Sequence, residues 1–244
     1  MENIQATNIH IAMNIKHTPL VSNDTRLLNL IRLTSPSLPI GAYSYSQGLE
    51  TAVALGWIED ASSALEWIQG LLTHSLMHLD VPIFKRLYRA WQDDNMEKVH
   101  YWSQYLLASR DAFELQEEDR QLGKTMARLL SNLDVEEAEI FLHEPDACLL
   151  TLYSLSAVRW NIPLNDAATG LLWMWAENQV LAAIKLVPLG QTAGQKILSQ
   201  AIEVIPESVI QGLALPDEDI GYTALAQGIA GALHETQYTR LFRS

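Results

Sequence analysis

Residues 164–187, LNDAATGLLWMWAENQVLAAIKLV, are apolar on nearly every side of a helix, and this stretch constrains the fold more than any other. A helix without a polar face belongs at the centre of a protein. Its neighbours must then each offer one apolar face, and the sequence supplies them. Trp67, Ile68, Leu71, Leu72, Leu76 and Leu79 recur at helical spacing after Asp60, and Phe84, Leu87, Tyr88 and Trp91 after Asp80. Val99, Trp102 and Leu106 restart the period after the break at Asp93-Asp94-Asn95. No run alternates at period two over a strand's length, and no internal repeat is visible. One all-α domain of about nine helices, with no sheet, is expected.

Its boundaries follow from the same patterning. Residues 1–23 mix polar, β-branched and small side chains without a period and read as a disordered leader. The helical domain spans 24–233, and 234–244 is a tail. Asp24, Asp60, Asp80 and Asp146 stand where N-caps are needed. Residues 131–145 are acidic and irregular, as a loop would be. A helix from about Thr192 to Val204 leads into a Pro-containing loop up to Asp217, and a last helix ends near Leu233.

Charge and composition remove several classes of function. The formal net charge is −13, and the 16 Lys and Arg residues form no cluster, which argues against a nucleic-acid partner. The apolar window Ala167–Val187 is interrupted by Glu177, Asn178, Gln179 and Lys185, so no membrane span is expected. Cys148 is the one cysteine, which rules out disulfide staples and Cys-rich metal sites.

Residues 34–51, TSPSLPIGAYSYSQGLET, form the second informative stretch. Pro36 and Pro39 prevent a helix and extend the residues before them, and Gly41 supplies a permissive backbone position. Ser44 and Gln47 then stand at capping-box spacing ahead of a helix carrying Glu50. The result is a rigid elbow with Tyr43 and Tyr45 at its tip. It serves either to complete the core or to dock a partner.

No catalytic constellation emerges. Gly190–Lys196 lacks one residue between its glycines for a phosphate loop and has Gln195 where Lys is required. Ser44-Tyr45-Ser46-Gln47-Gly48 resembles a nucleophile elbow, but Pro36 and Pro39 disfavour the strand that must precede one. His74 and His78 share a helix face, a two-histidine clamp with no third ligand specified. Glu114, Glu117, Glu118 and Asp119, beside Arg110, Arg120 and Lys124, read most simply as a solvated, ion-paired helix face. Nothing brings nucleophile, base and oxyanion site together, so a non-enzyme is expected. The tail, HETQYTRLFRS, carries two arginines, a tyrosine and a phenylalanine on a segment too short for its own core, as a partner-binding segment does.

Four stretches together resemble the UreF family of urease accessory proteins. They are SPSLPIGAYSYSQGLE at 35–50, SRDAFELQEEDRQLG at 109–123, ENQVLAAIKLVPLGQTAGQ at 177–195 and HETQYTRLFRS at 234–244. Tyr43 stands where Phe would be equally expected. The resemblance implies an all-α, non-enzymatic, cytoplasmic homodimer with no tightly bound cofactor. It implies a chaperone that, with UreD (also called UreH), recruits the GTPase UreG to the urease apoprotein, where the complex handles nickel for insertion. It implies partner contacts at Tyr43, Tyr45, Glu50, Lys185, His234, Glu235, Tyr238, Arg240 and Arg243, with Tyr45 and Glu50 at the elbow surface and Lys185 tuning the GTPase. A lysine in so apolar a helix must find a carboxylate, reach the surface or lose its proton, and the surface is expected. The alternative is a helical nickel-binding or storage protein using His74 and His78.

Overall fold

The computed structural model describes residues 21–221 and 224–244; of the expected leader, residues 1–20 lie outside this range. The described residues form ten α-helices: α1 (Val21–Thr34), α2 (Leu49–Ala54), α3 (Ala61–Leu71), α4 (Asp80–Gln92), α5 (Met96–Ala108), α6 (Phe113–Ser131), α7 (Leu149–Arg159), α8 (Leu164–Leu186), α9 (Gln191–Ala214) and α10 (Leu225–His234). No strand forms among them, and the all-α class is as expected.

Helix α8 is the central element. Its small residues Ala167, Ala168, Gly170, Ala176, Ala182 and Ala183 are buried, which lets neighbours approach its backbone from several sides. It packs most extensively on α9 and also against α1, α2, α3, α4 and α7. A second layer, α4 to α7, is joined to it through α4 and α7. Aromatic side chains fill that layer with their polar tips satisfied: Trp91 Nε1 donates to Thr151 O at 3.1 Å, Tyr88 OH to Ile162 O at 2.9 Å and Tyr153 OH to Ala167 O at 3.0 Å. At Gly123, α6 runs so close to the chain entering α7 that a Cβ would lie 2.5 Å from Ala147 O.

Local signals held at some helix ends and yielded at others. Asp60 caps α3 in a reciprocal capping box with Ser63, as expected. Asp80 and Asp146 are not caps, because long-range partners claim them: Arg110 takes Asp80, and His100 Nδ1 lies 2.8 Å from Asp146 Oδ2. Position 24 lies inside α1, which begins at Val21. Ser44 and Gln47 make no capping box; Gly48, with φ of 85°, precedes α2 instead. A Cβ at Gly48 would meet Ala230 and Gly231 of α10, so this position also sets the approach of α2 and α10.

Two segments are more helical than expected. Helix α9 continues through Pro206 to Ala214. Pro206 and Ile202 are exposed, so the carbonyl that loses its donor faces solvent, while Ala201, Ile205, Ser208 and Val209 stay buried and hold the helix. The acidic loop contains a 3-10 stretch, Glu136–Leu142, pinned by buried Ala138 and Phe141. The helical period expected through Leu79 is kept after α3 by a wide π turn, Leu72–Leu76, where Met77 N donates to Leu72 O at 3.2 Å.

Candidate docking site

The elbow and the tail are bonded to each other, by pairs that include partners 191, 192 and 198 residues apart in sequence. Glu50, at the start of α2, is 7% exposed, and its carboxylate accepts from Leu241 N at 2.7 Å and Phe242 N at 2.9 Å. The same carboxylate lies 3.3 Å from His234 Nε2, and His234 Nδ1 lies 2.6 Å from Glu114 on α6. His234 is completely buried, and each of its ring nitrogens faces a carboxylate oxygen. Arg240 extends this chain of charges outward by donating to Glu114 Oε1 and to Glu235 O, both at 2.5 Å. Charge-assisted bonds of this kind are about twice as strong as neutral ones.

The end of the tail enters the elbow itself. The main-chain oxygen of Ser244 accepts from Ser46 N at 2.7 Å, Gln47 N at 3.0 Å and Ser46 Oγ at 2.6 Å. Arg243 N donates to Ser44 O at 2.9 Å, and Ser244 Oγ donates to Glu118 at 2.6 Å. Gln47 is left-handed, with φ of 54°, a strain of about 1–2 kcal/mol for a residue with a Cβ. Its surroundings over-determine that conformation: Gln47 Nε2 donates to Glu118 and Trp175 Nε1 donates to Gln47 Oε1, both at 2.6 Å.

Beneath this joint lies a buried ion cluster. Arg110 donates through Nη2 to Asp80 Oδ1 at 2.6 Å and through Nε to Asp119 Oδ2 at 2.7 Å. Burial alone would lower the guanidinium pKa, but Asp119 and Asp80 outweigh it and hold it well above its usual value. Asp119 stands above the usual carboxylate range because burial outweighs the attraction of Arg110. The reading of this helix as a solvated face is therefore corrected for Glu118 and Asp119, while Glu117 and Arg120, both partly exposed, form the ion pair expected of such a face. Glu118 and Asp119 fall on the same three- and four-residue period as buried Leu115, Leu122 and Met126, a signal that was available in the sequence.

Placement of the other candidates is mixed. Tyr45 and Glu50, expected at the elbow surface, are both buried, at 8% and 7% exposure; they support the surface from within. Tyr43 and Tyr238 are exposed, as are Arg240 and Arg243. Glu235 is exposed and accepts from Phe113 N at 3.0 Å. Lys185 reaches the surface, with Nζ 5.4 Å above the ring of Phe242, a cation–π contact joining α8 to the tail. Around these residues α10 turns Leu225, Ile229 and Leu233 outward in one stripe, with Phe113 and Leu241 also exposed. Ser46, Gln47, Glu114, Glu118, Trp175 and Ser244 join the site without having been singled out for it.

His74 is exposed in the π turn and His78 half-buried after it, and among the described residues no three His, Cys, Asp or Glu side chains are grouped to hold an ion. Cys148 is buried and its thiol pKa is pushed up to about 12, the reverse of a reactive or metal-binding cysteine. No described helix is long and apolar enough to cross a membrane.

Residues 58–202 match the UreF family. Over 88% of its length the chain is 54% identical to the urease accessory protein UreF of Alkalilimnicola ehrlichii, covering 94% of that relative. The chain belongs to the UreF family. Other UreF proteins agree: that of Teredinibacter turnerae is 44% identical over 91% of the chain and all of the relative, and that of Hahella chejuensis 44% over 89% and 98%. The elbow and the tail lie outside residues 58–202.

Proposed function

We propose that this chain is a non-enzymatic scaffold of urease maturation, which with UreD recruits the GTPase UreG to apo-urease for nickel insertion, nickel being cargo of the assembly. The observation that carries this reading is the joined elbow and tail. Buried bonds fix a short terminal segment in one shape, and its outer side presents Tyr238, Arg240, Leu241 and Arg243 beside the apolar stripe of α10. An ordered, aromatic and arginine-bearing rim next to unpartnered apolar side chains has the composition of an interface, and ordering it in advance reduces the entropy lost on binding. Lys185, held above Phe242, stands at the border of this rim, where a contact with the GTPase would sense the tail.

The test is co-purification of the chain with tagged UreD and UreG, comparing wild type with a deletion of residues 236–244. Wild type is expected to form a complex containing all three proteins, and the deletion to lose it while keeping its helical circular dichroism. A folded wild-type chain that binds neither protein would remove this reading.

A further inference from the structure

Glu118 sits on α6 with 5% exposure, its two oxygens accepting from Gln47 Nε2 and Ser244 Oγ, each at 2.6 Å. One carboxylate thus ties the elbow to the last residue of the tail. Among the described residues no Lys, Arg or His forms an ion pair with it, since nearby Arg110 is engaged by Asp80 and Asp119. Two small cavities, of about 50 and 60 Å³, adjoin it; both are lined by Gln47, Arg110, Asp119 and Trp175, and one extends to exposed Asp111. Such volumes have room for a few waters.

We propose that Glu118 is a proton-operated catch for the tail: protonated, it donates its proton to Ser244 Oγ while still accepting from Gln47 Nε2 and keeps the tail docked on the elbow, and its ionisation loosens the tail. The physical basis is the asymmetry of solvation. In the docked state the ionised carboxylate has two neutral donors and no cation of its own; with the tail lifted, water replaces Ser244. Burial raises the Glu118 pKa from 4.5 to about 7, against the pull of Ser244, Gln47 and Arg110 and with the push of Asp119. A carboxyl raised in the docked state favours docking fully below its undocked value, and that contribution is lost as pH rises through 7. Other charged groups face the joint. Asp80, Arg110, Asp111 and Asp119 surround the cavities, and His234, Glu50, Glu114 and Arg240 hold the neighbouring part of the tail.

The catch is a property of the isolated chain, so its test is independent of any partner. Amide exchange at Phe242 and Arg243, corrected for the intrinsic effect of pH, reports docking, because these amides bond to Glu50 and Ser44. Protection in wild type is expected to fall about tenfold between pH 6 and 8, and to stay level in Glu118→Gln. A level wild-type profile overturns the proposal. So does an unchanged slope in Glu118→Gln, which would assign the effect to a group other than Glu118. Linkage also gives a reciprocal measurement that does not depend on how the Gln variant folds. Deleting residues 236–244 should move the carboxyl ¹³C titration midpoint of Glu118 down toward 4.5, and an unmoved midpoint overturns the proposal.

Discussion

Arg110→Ala is expected to lower the unfolding free energy by about 3–5 kcal/mol, because it strands Asp80 and Asp119 in the interior without a counter-charge. Both carboxylates are buried. Protonating them relieves part of this cost, but the cavity left by the guanidinium adds to it. For a domain of this size the thermal midpoint should fall by roughly 10 °C or more. Urea unfolding followed by circular dichroism measures the effect directly. Arg110→Lys should recover only part of the loss, since one ammonium cannot present the fork that reaches two separate carboxylates. A loss below about 1 kcal/mol for the alanine variant would mean that the cluster is solvated and does not support the joint.

Glu50→Ala should free the tail while leaving the helical body folded. The variant removes the acceptor for two amides, Leu241 and Phe242, and one of the two carboxylates beside buried His234. Loss of charge-assisted bonds at a buried position costs about 2–4 kcal/mol, most of it charged to docking, since α2 keeps its packing on α8 and α10. Tryptic cleavage after Arg240 and Arg243 should accelerate by at least about tenfold under conditions where opening is fast relative to cleavage. Unchanged cleavage together with an unchanged midpoint would show that the tail is held without Glu50, by its bonds to Ser44, Ser46, Gln47, Glu114 and Glu118.

Most of the helical body was legible in the sequence because its cause is local. Apolar residues at three- and four-residue spacing put Trp91, Leu106 and the α8 residues where they are found, and Asp60 caps α3 because its partner Ser63 is three residues away. What was misread depends on distant partners. Asp80 looks like a cap until Arg110, thirty residues on, claims it, and Asp146 until His100 does. Pro206 reads as a helix end, and only burial on both sides of it keeps α9 whole.

The site was half legible for the same reason. Elbow and tail stood out by composition, with Tyr43 and Tyr238 exposed on them, and the surface position of Lys185 followed from placing a charge in so apolar a helix. That Glu50 and His234 face inward to hold the tail could not be read, because nothing within a few residues of either one specifies the other. Glu118 could have been suspected from its place on the apolar period of α6. Its partner Ser244 could not.

The measurement that tests the docking account most directly is a comparison of wild type with Ile229→Glu and Leu233→Glu, both on the exposed stripe of α10, by size-exclusion chromatography with light scattering in the presence of UreD and UreG. Neither side chain is buried in the isolated chain, so both variants should keep the wild-type thermal midpoint to within a few degrees. The account predicts that each loses the complex while remaining folded, since a carboxylate on an apolar docking face is left desolvated and unpaired in the interface. Complexes indistinguishable from wild type would contradict it, and would place the partner surface away from the joined elbow and tail.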